Sequence, residues 1–296
     1  MLGVVNLDKP VGPTSHDMVG MMRRLSGTRR IGHAGTLDPL ASGVLPILVG
    51  AATRFSEELT GGRKRYDAVI RLGARSETDD SEGPIELVPG LMPASEEVRA
   101  ALATFVGTFD QRPPSFSARK VGGRIAHRAA RAGDPIEVPP REVTIDAIEM
   151  VSYEPKDGGA DVHIDLRCGV GTYVRSLARD LGEHLRTGAY LRSLRRTEAA
   201  GLSVETSVTP DMLEALALED RLADAVLPVG ELLPLPHLAL DSEAALAFQH
   251  GSARRVNVPT PDGKVAVFSD EVIVGIGWIS DGILQPYKVL PPAPRS

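Results

Sequence analysis

Asp38 stands in the stretch Gly32-His33-Ala34-Gly35-Thr36-Leu37-Asp38-Pro39-Leu40-Ala41-Ser42-Gly43-Val44-Leu45-Pro46, with Arg29 and Arg30 just before it and Arg54 just after. Glycines permit close backbone approach and positive φ. Pro39 sets its own φ and biases Asp38 away from helical geometry. The segment therefore predicts a rigid loop that presents one carboxylate, anchored in a core by the apolar run Val44 to Val49. A single carboxylate can serve as a nucleophile, or stabilise positive charge at a sugar and take up a proton. It can equally bond its own backbone in a turn. There is no Gly-Lys-Ser/Thr ending for a phosphate loop. His33 and Asp38 have no third ligand close in sequence for a metal.

Other chemically capable groups stand apart from this loop. Tyr66 opens an alternating stretch directly after Arg63, Lys64 and Arg65. An aromatic ring beside cations suits base stacking and backbone contact, and an ordinary core tyrosine fits the same position. In Gly169-Val170-Gly171-Thr172-Tyr173-Val174-Arg175 a strand passes through a glycine corner into a helix. A cation at a helix N-terminus opposes the dipole. Arg175 there calls for a partner carboxylate, unless it points into solvent. Lys9, in Lys9-Pro10-Val11-Gly12-Pro13-Thr14-Ser15, reads as a phosphate contact or a loop lysine.

The elements that must position these groups follow from hydrophobic period and capping. Ser15 predicts a cap for a helix over 16–25, with Met18, Val19, Met22 and Leu25 inward. Tyr66, Ala68, Ile70 and Leu72 predict one face of a half-buried strand. Residues 76–90 are acidic and turn-rich and predict an exposed loop; Ser95 predicts a helix running to about Val106. Residues 124–131 read as a basic helix, 143–151 and 162–168 as strands with Cys168 in the core. Leu177, Ala178, Leu181 and Leu185 predict the buried face of the helix after the corner. Thr209-Pro210-Asp211 is a helix start. Prolines from 228 to 236 mark a boundary. Beyond it, a helix at 242–250 and strands at 265–269, 272–279 and 284–290 predict a small β-rich unit.

A chain of 296 residues suggests one large domain, or one plus a small one. It has no apolar run of membrane length and no signal-peptide layout at its start. The lone cysteine excludes an internal disulfide and fits a reducing cytosol. The net charge of −6 hides a segregation. Residues 1–75 carry 11 basic against 6 acidic side chains, and 112–132 hold six basic and no acidic ones. Residues 76–110 and 201–296 are acidic. A polyanion could bind the basic segments with the acidic ones turned away.

The word from His33 to Leu45 resembles the signature of the bacterial tRNA pseudouridine synthase B family. So do Lys-Pro-x-Gly-x-Thr-Ser at 9–15, Pro-x-x-Ser-Ala-x-Lys at 114–120, Gly-x-Gly-Thr-Tyr-x-Arg at 169–175 and Leu194-Arg195-Arg196. His127 departs from it, since the family usually carries tyrosine there. The resemblance implies an α+β pseudouridine synthase fold, a mixed, mostly antiparallel sheet flanked by helices. The catalytic domain would span 1–228, with a basic RNA-binding insertion at about 110–135. A small C-terminal PUA-like domain would span 229–296. It implies isomerisation of the uridine at position 55 in the T-loop of tRNA, by base flipping, without a cofactor or metal. Asp38 would be catalytic and Arg175 its partner. Tyr66 would stack on the base, Tyr173 and Leu194 would line its pocket, and His33 would fill the space it vacates. The expected protein is a cytoplasmic monomer that takes tRNA without a guide RNA. A tRNA-binding folding factor that needs no catalysis is the reading from another class.

Overall fold

The alternation at Tyr66, Ala68, Ile70 and Leu72 buries one face of a central strand, and the rest of the main layer is built outward from it. The computed structural model describes residues 1–116, 120–121, 123–125, 134, 136, 138–256 and 262–292. Strands β1 (Gly3–Lys9), β2 (Ile31–His33), β3 (Ala41–Val49) and β4 (Lys64–Leu72) come first, with α1 (Ser15–Ser26) after β1 and a short α2 (Ser56–Thr60) before β4. Next come β5 (Ala74–Ser76), β6 (Ile85–Leu87), α3 (Ser95–Ala103) and β7 (Gly107–Gln111). The short pair β8 (Lys120–Val121) and β9 (Arg124–Ile125) precedes the long strands β10 (Arg141–Lys156) and β11 (Gly159–Cys168). Helix α4 (Val174–His184), β12 (Ala189–Ala199), β13 (Leu202–Ser203) and α5 (Pro210–Leu218) follow. The last elements are β14 (His237–Leu240), α6 (Ser242–Gln249), β15 (Arg254–Arg255), β16 (Gly263–Ser269), β17 (Val272–Ser280) and β18 (Ile283–Val289).

The main sheet runs β1-β3-β12-β4-β11-β10-β7, with β2 paired to β3 and β13 to β12. Every pair is antiparallel except β3 with β12. That one parallel contact sets Leu194 opposite Ala41, so the Leu-Arg-Arg word lies against the strand leaving the Asp38 loop. Leu177, Ala178 and Leu181 of α4 press on the sheet in one core with Ile70, Val162 and Leu191. Each such leucine stabilises the fold by roughly 1.5–3 kcal/mol. Cys168 is buried in the same core. The smaller sheet, β14-β16-β17-β18-β15, closes over Phe248, Val265, Val267 and Leu284. A third cluster joins the layers, with Phe55 and Leu59 against Val229, Ile276 and Leu290. No helix among the described residues is long and apolar enough to cross a membrane.

Four local expectations are corrected. Thr14, not Ser15, caps α1: its hydroxyl accepts from the Asp17 N–H at 3.1 Å, and Asp17 accepts from the Thr14 N–H at 2.8 Å. Ser15 is free for another task because it lies one residue inside the helix. Helix α3 begins after Ala94 and stops at Ala103, since i→i+3 bonds from Thr104, Phe105 and Val106 tighten its end. The stretch 76–90 is not simply exposed: β5 and β6 pair as a hairpin, and Asp80 inside it is buried. Arg124 and Ile125 belong to a strand rather than a helix; residues 126 to 131, including His127, lie outside the described residues.

Candidate functional site

The Asp38 loop is held from beneath by side chains that bond its backbone. Buried Ser15 donates to Leu37 O at 3.0 Å and accepts from Leu37 N–H at 2.8 Å. Lys9, buried at the end of β1, donates to the carbonyls of Pro10, Pro39 and Ala41 at 2.8, 3.4 and 2.6 Å. It is neither a phosphate contact nor an exposed loop lysine. Burial lowers its ammonium to about 8, against the pull of Asp38 and Glu82. Arg196 of β12 donates to Val44, Gly35 and Thr36 carbonyls at 2.7, 3.0 and 3.4 Å. The parallel β3–β12 contact needs Gly43, at φ +98°, because a Cβ there would come 2.2 Å from Arg196 O. A loop without its own ladder bonds is thus fixed by two buried cations and a hydroxyl.

The partner arrives from the glycine corner. Gly171 has φ +87°, and a Cβ on it would run into the Arg141 guanidinium. Buried Gln111 clamps the corner, donating to Tyr173 O at 3.1 Å and accepting from Tyr173 N–H at 2.8 Å. Two residues on, in the first turn of α4, Arg175 reaches Asp38 Oδ2 at 2.8 Å and Asp80 Oδ2 at 3.4 Å. The same two terminal nitrogens also donate to Thr78 O and Phe116 O, both at 3.2 Å, while its buried Nε has no partner among the described residues. Two carboxylates therefore offset the unfavourable dipole. The guanidinium is only 7% exposed, whereas Asp38 is 38% exposed. Asp80, 2% exposed, is itself set by Thr78 Oγ1 at 2.5 Å and Glu82 N–H at 3.0 Å. An acid at the surface is thus aimed by a base inside.

Asp38 and Arg175 border a cavity of about 400 Å³. Tyr66, Tyr173 and Leu194 line it too, so five of the six sequence-selected residues meet in one place. Its volume lies in the range of small-molecule sites. Tyr66 is buried, which raises its phenol, and its hydroxyl lies near Arg196. His33 is the exception: it lies on β2 and does not border this cavity. Burial, Arg196 and His16 lower its imidazole, and its buried Nδ1 has no hydrogen-bond partner among the described residues. A larger cavity, about 550 Å³, lies between the sheets against Leu59, Leu202 and Leu232. The smaller one is preferred because an oriented carboxylate, aromatic rings and cations converge there.

Sequence reasoning missed Asp80, Lys64, Arg141 and the loop-holding part of Arg196. Lys64 and Arg141 line the same cavity. Lys64 donates to Thr60 O and Gly62 O at 2.8 and 2.7 Å. Burial and then the Arg196 charge lower it to about 8. The Leu-Arg-Arg word signalled Arg196; nothing local signalled Asp80.

Residues 23–174 match the family described as "TruB family pseudouridylate synthase (N terminal domain)". Residues 175–234 match "tRNA pseudouridylate synthase B C-terminal domain". A relative from Ralstonia nicotianae named tRNA pseudouridine synthase B is 39% identical over 295 residues, covering 97% of this chain and 94% of its own. One of the same name from Burkholderia mallei is 42% identical over 297 residues, covering 97% and 96%. Among solved structures, an H/ACA RNP bound to a substrate RNA containing 2'-deoxyuridine includes a chain with TM-score 0.74 and 26% identity, covering 98% of this chain and 86% of that one. A Cbf5-Nop10-Gar1 complex includes one with TM-score 0.74 and 28% identity, covering 98% and 85%.

Proposed function

The chain belongs to the TruB family of pseudouridylate synthases, and we propose that it converts the T-loop uridine at position 55 of tRNA to pseudouridine. The observation that carries this reading is the Asp38–Arg175 pair, closed at 2.8 Å on the wall of a cavity of about 400 Å³. The reaction breaks the bond between uracil N1 and ribose C1′, turns the ring, and joins C5 to C1′; C5 then gives up its proton and N1 takes one up, so the product is an isomer. Nothing is oxidised or reduced, so no redox cofactor is required. Asp38 supplies the carboxylate that the broken glycosidic bond demands, as nucleophile or as stabiliser of charge at the sugar. Arg175 keeps it aimed.

Extruding the base costs a few kcal/mol. Stacking on Tyr66 offsets that by about 1–3 kcal/mol. Tyr173 and Leu194 shape the pocket around the ring. His33, outside the cavity but beside the same loop, fills the gap the base leaves in the RNA. We assign 1–228 to the catalytic domain and 229–296 to a PUA-like unit, and expect a cytoplasmic monomer acting without a guide RNA.

The test is Asp38→Asn with unmodified tRNA and no added cofactor. The substitution is nearly isosteric at a partly exposed side chain, so the fold and tRNA binding persist while pseudouridine formation disappears. A tRNA-folding factor without catalysis would need the same basic face but not the acid. Undiminished turnover by the variant, or no turnover by the wild type, rejects the isomerase reading.

A further inference from the structure

Glu58 lies outside the substrate cavity and belongs to none of the motifs. It is nevertheless a carboxylate with only 3% of its side chain exposed, in the five-residue helix α2 just before the Tyr66 strand. Its partners come from the smaller sheet. Lys264 of β16 donates to Oε1 at 3.2 Å, and Lys288 of β18 donates to Oε1 and Oε2 at 2.9 and 2.8 Å. Lys288 also reaches Glu57 at 3.1 Å. The Tyr287 ring lies 4.7 and 5.4 Å from the two ammonium groups, which adds cation–π attraction. Burial raises the Glu58 carboxyl, and bonds from Lys288, the backbone and Lys264 more than reverse this, leaving it below the usual carboxylate range.

The other end of α2 touches the site. Lys64 ties the carbonyls of Thr60 and Gly62 to the start of β4, and Thr60 and Lys64 both border the cavity with Asp38. Tyr66 follows two residues later on the same face of the strand. Ion pair, short helix, lysine clamp and cavity wall thus form one continuous chain of contacts. Phe55 and Leu59 pack the same segment against Ile276 and Leu290.

We propose that Glu58 is a positioning residue for the isomerisation: by pinning α2 to Lys264 and Lys288, it lets the C-terminal unit set the place of the cavity wall formed by Thr60, Lys64 and Tyr66. The C-terminal unit then contributes to the chemical step as well as to the bulk of the molecule. Displacements of about 1 Å in such a wall cost large factors in rate. The inference rests on the Asp38 cavity being the site of reaction.

The experiment compares wild type, Glu58→Gln, the double variant Lys264→Met/Lys288→Met, and the three substitutions together. Single-turnover pseudouridine formation and KM are measured with a T-stem-loop RNA. Emission of Trp278, the sole tryptophan, on β17, reports whether the C-terminal unit stays folded. Glu58→Gln slows single turnover on the order of 10-fold, leaves KM within about twofold, and leaves the Trp278 spectrum unchanged. The lysine double variant does the same, and the triple variant is no slower than either, because all break one link. An unchanged single-turnover rate, a change confined to KM, additive losses, or a rate loss accompanied by a Trp278 shift overturns the positioning role. A wild type that forms no pseudouridine would instead overturn the function itself.

Discussion

Replacing Arg175 by methionine separates aiming from folding. Across the 2.8 Å gap to Asp38 the Coulomb attraction is about 6 kcal/mol at an effective dielectric of about 20. Asp38 is 38% exposed, so solvent screening removes most of that. About 2–3 kcal/mol of orientation remains, roughly a 30- to 150-fold loss in rate. The second effect falls on Asp80, which is 2% exposed and would lose its counter-charge at 3.4 Å. A stranded buried charge destabilises by about 3–5 kcal/mol, which lowers Tm by roughly 10 °C for a domain of this size. Adding Asp80→Asn removes that charge and keeps the side-chain shape. Arg175→Met alone is therefore slow and less stable, and Arg175→Met/Asp80→Asn recovers much of the Tm but not the rate. The assay is single turnover at a temperature where all variants are folded, beside thermal melts. Turnover within about threefold of wild type, or a rate restored by Asp80→Asn, refutes the division of labour between the two carboxylates.

Lys9→Met strands the three carbonyls that Lys9 satisfies and costs about 3 kcal/mol, read as a lower Tm with slower isomerisation. The folded Lys9 ammonium titrates near 8 against an ordinary 10.5, so folding favours its neutral form. Its contribution is present above 10.5 and lost as pH falls through about 8. The stability gap between wild type and Lys9→Met accordingly widens as pH rises from 8 to 10.5 in denaturant titrations. Cys168 is buried and its thiol is pushed up to about 11 by that burial; a thiol reagent labels it only as fast as the protein opens. Arg141→Gln, on the cavity wall, weakens RNA binding and reduces the slope of log affinity against log salt by about 0.7–0.9 if it meets one phosphate.

How far the sequence could be read depended on the range of the interaction. Period and punctuation are local, and they located β4, α4, the Asp38 loop and the corner at Gly171. Arg175 could be called a cation in need of a carboxylate because the helix dipole is also local. Its second carboxylate could not be found that way. Asp80 lies 95 positions earlier, in a stretch whose composition reads as solvated, and only the hairpin β5–β6 and the adjoining β12 bury it. Ser15 misled for a related reason: a serine before a helix caps by default, but Thr14 was available, and Ser15 was drawn into a contact 22 residues away. Lys9 read as a phosphate contact or a loop lysine because lysine is exposed by default, and Arg196 drew no reading beyond its place in the Leu-Arg-Arg word. Their acceptors are backbone carbonyls, to which sequence patterns are blind.

Those carbonyl acceptors bear on how a chain of net charge −6 can receive a polyanion. A buried cation is usually matched by a carboxylate, which cancels its field outside. Lys9, Lys64 and Arg196 instead give their protons to main-chain oxygens, and none forms a salt bridge among the described residues. The loop and the cavity wall are therefore braced without spending the positive charge. Around Asp38 these three cations, with Arg175 and Arg141, outnumber the carboxylates Asp38, Asp80 and Glu82 that face them. Low-dielectric walls concentrate such a field at the mouth of a cleft. The surplus acids are shared equally by 201–296, with 13 acidic against 6 basic side chains, and 76–110, with 8 against 1, of which Asp80 and Glu82 adjoin the site. The side chains that hold Asp38 in place thereby also make its surroundings positive, so the geometry of the site and its attraction for a phosphate backbone have one origin.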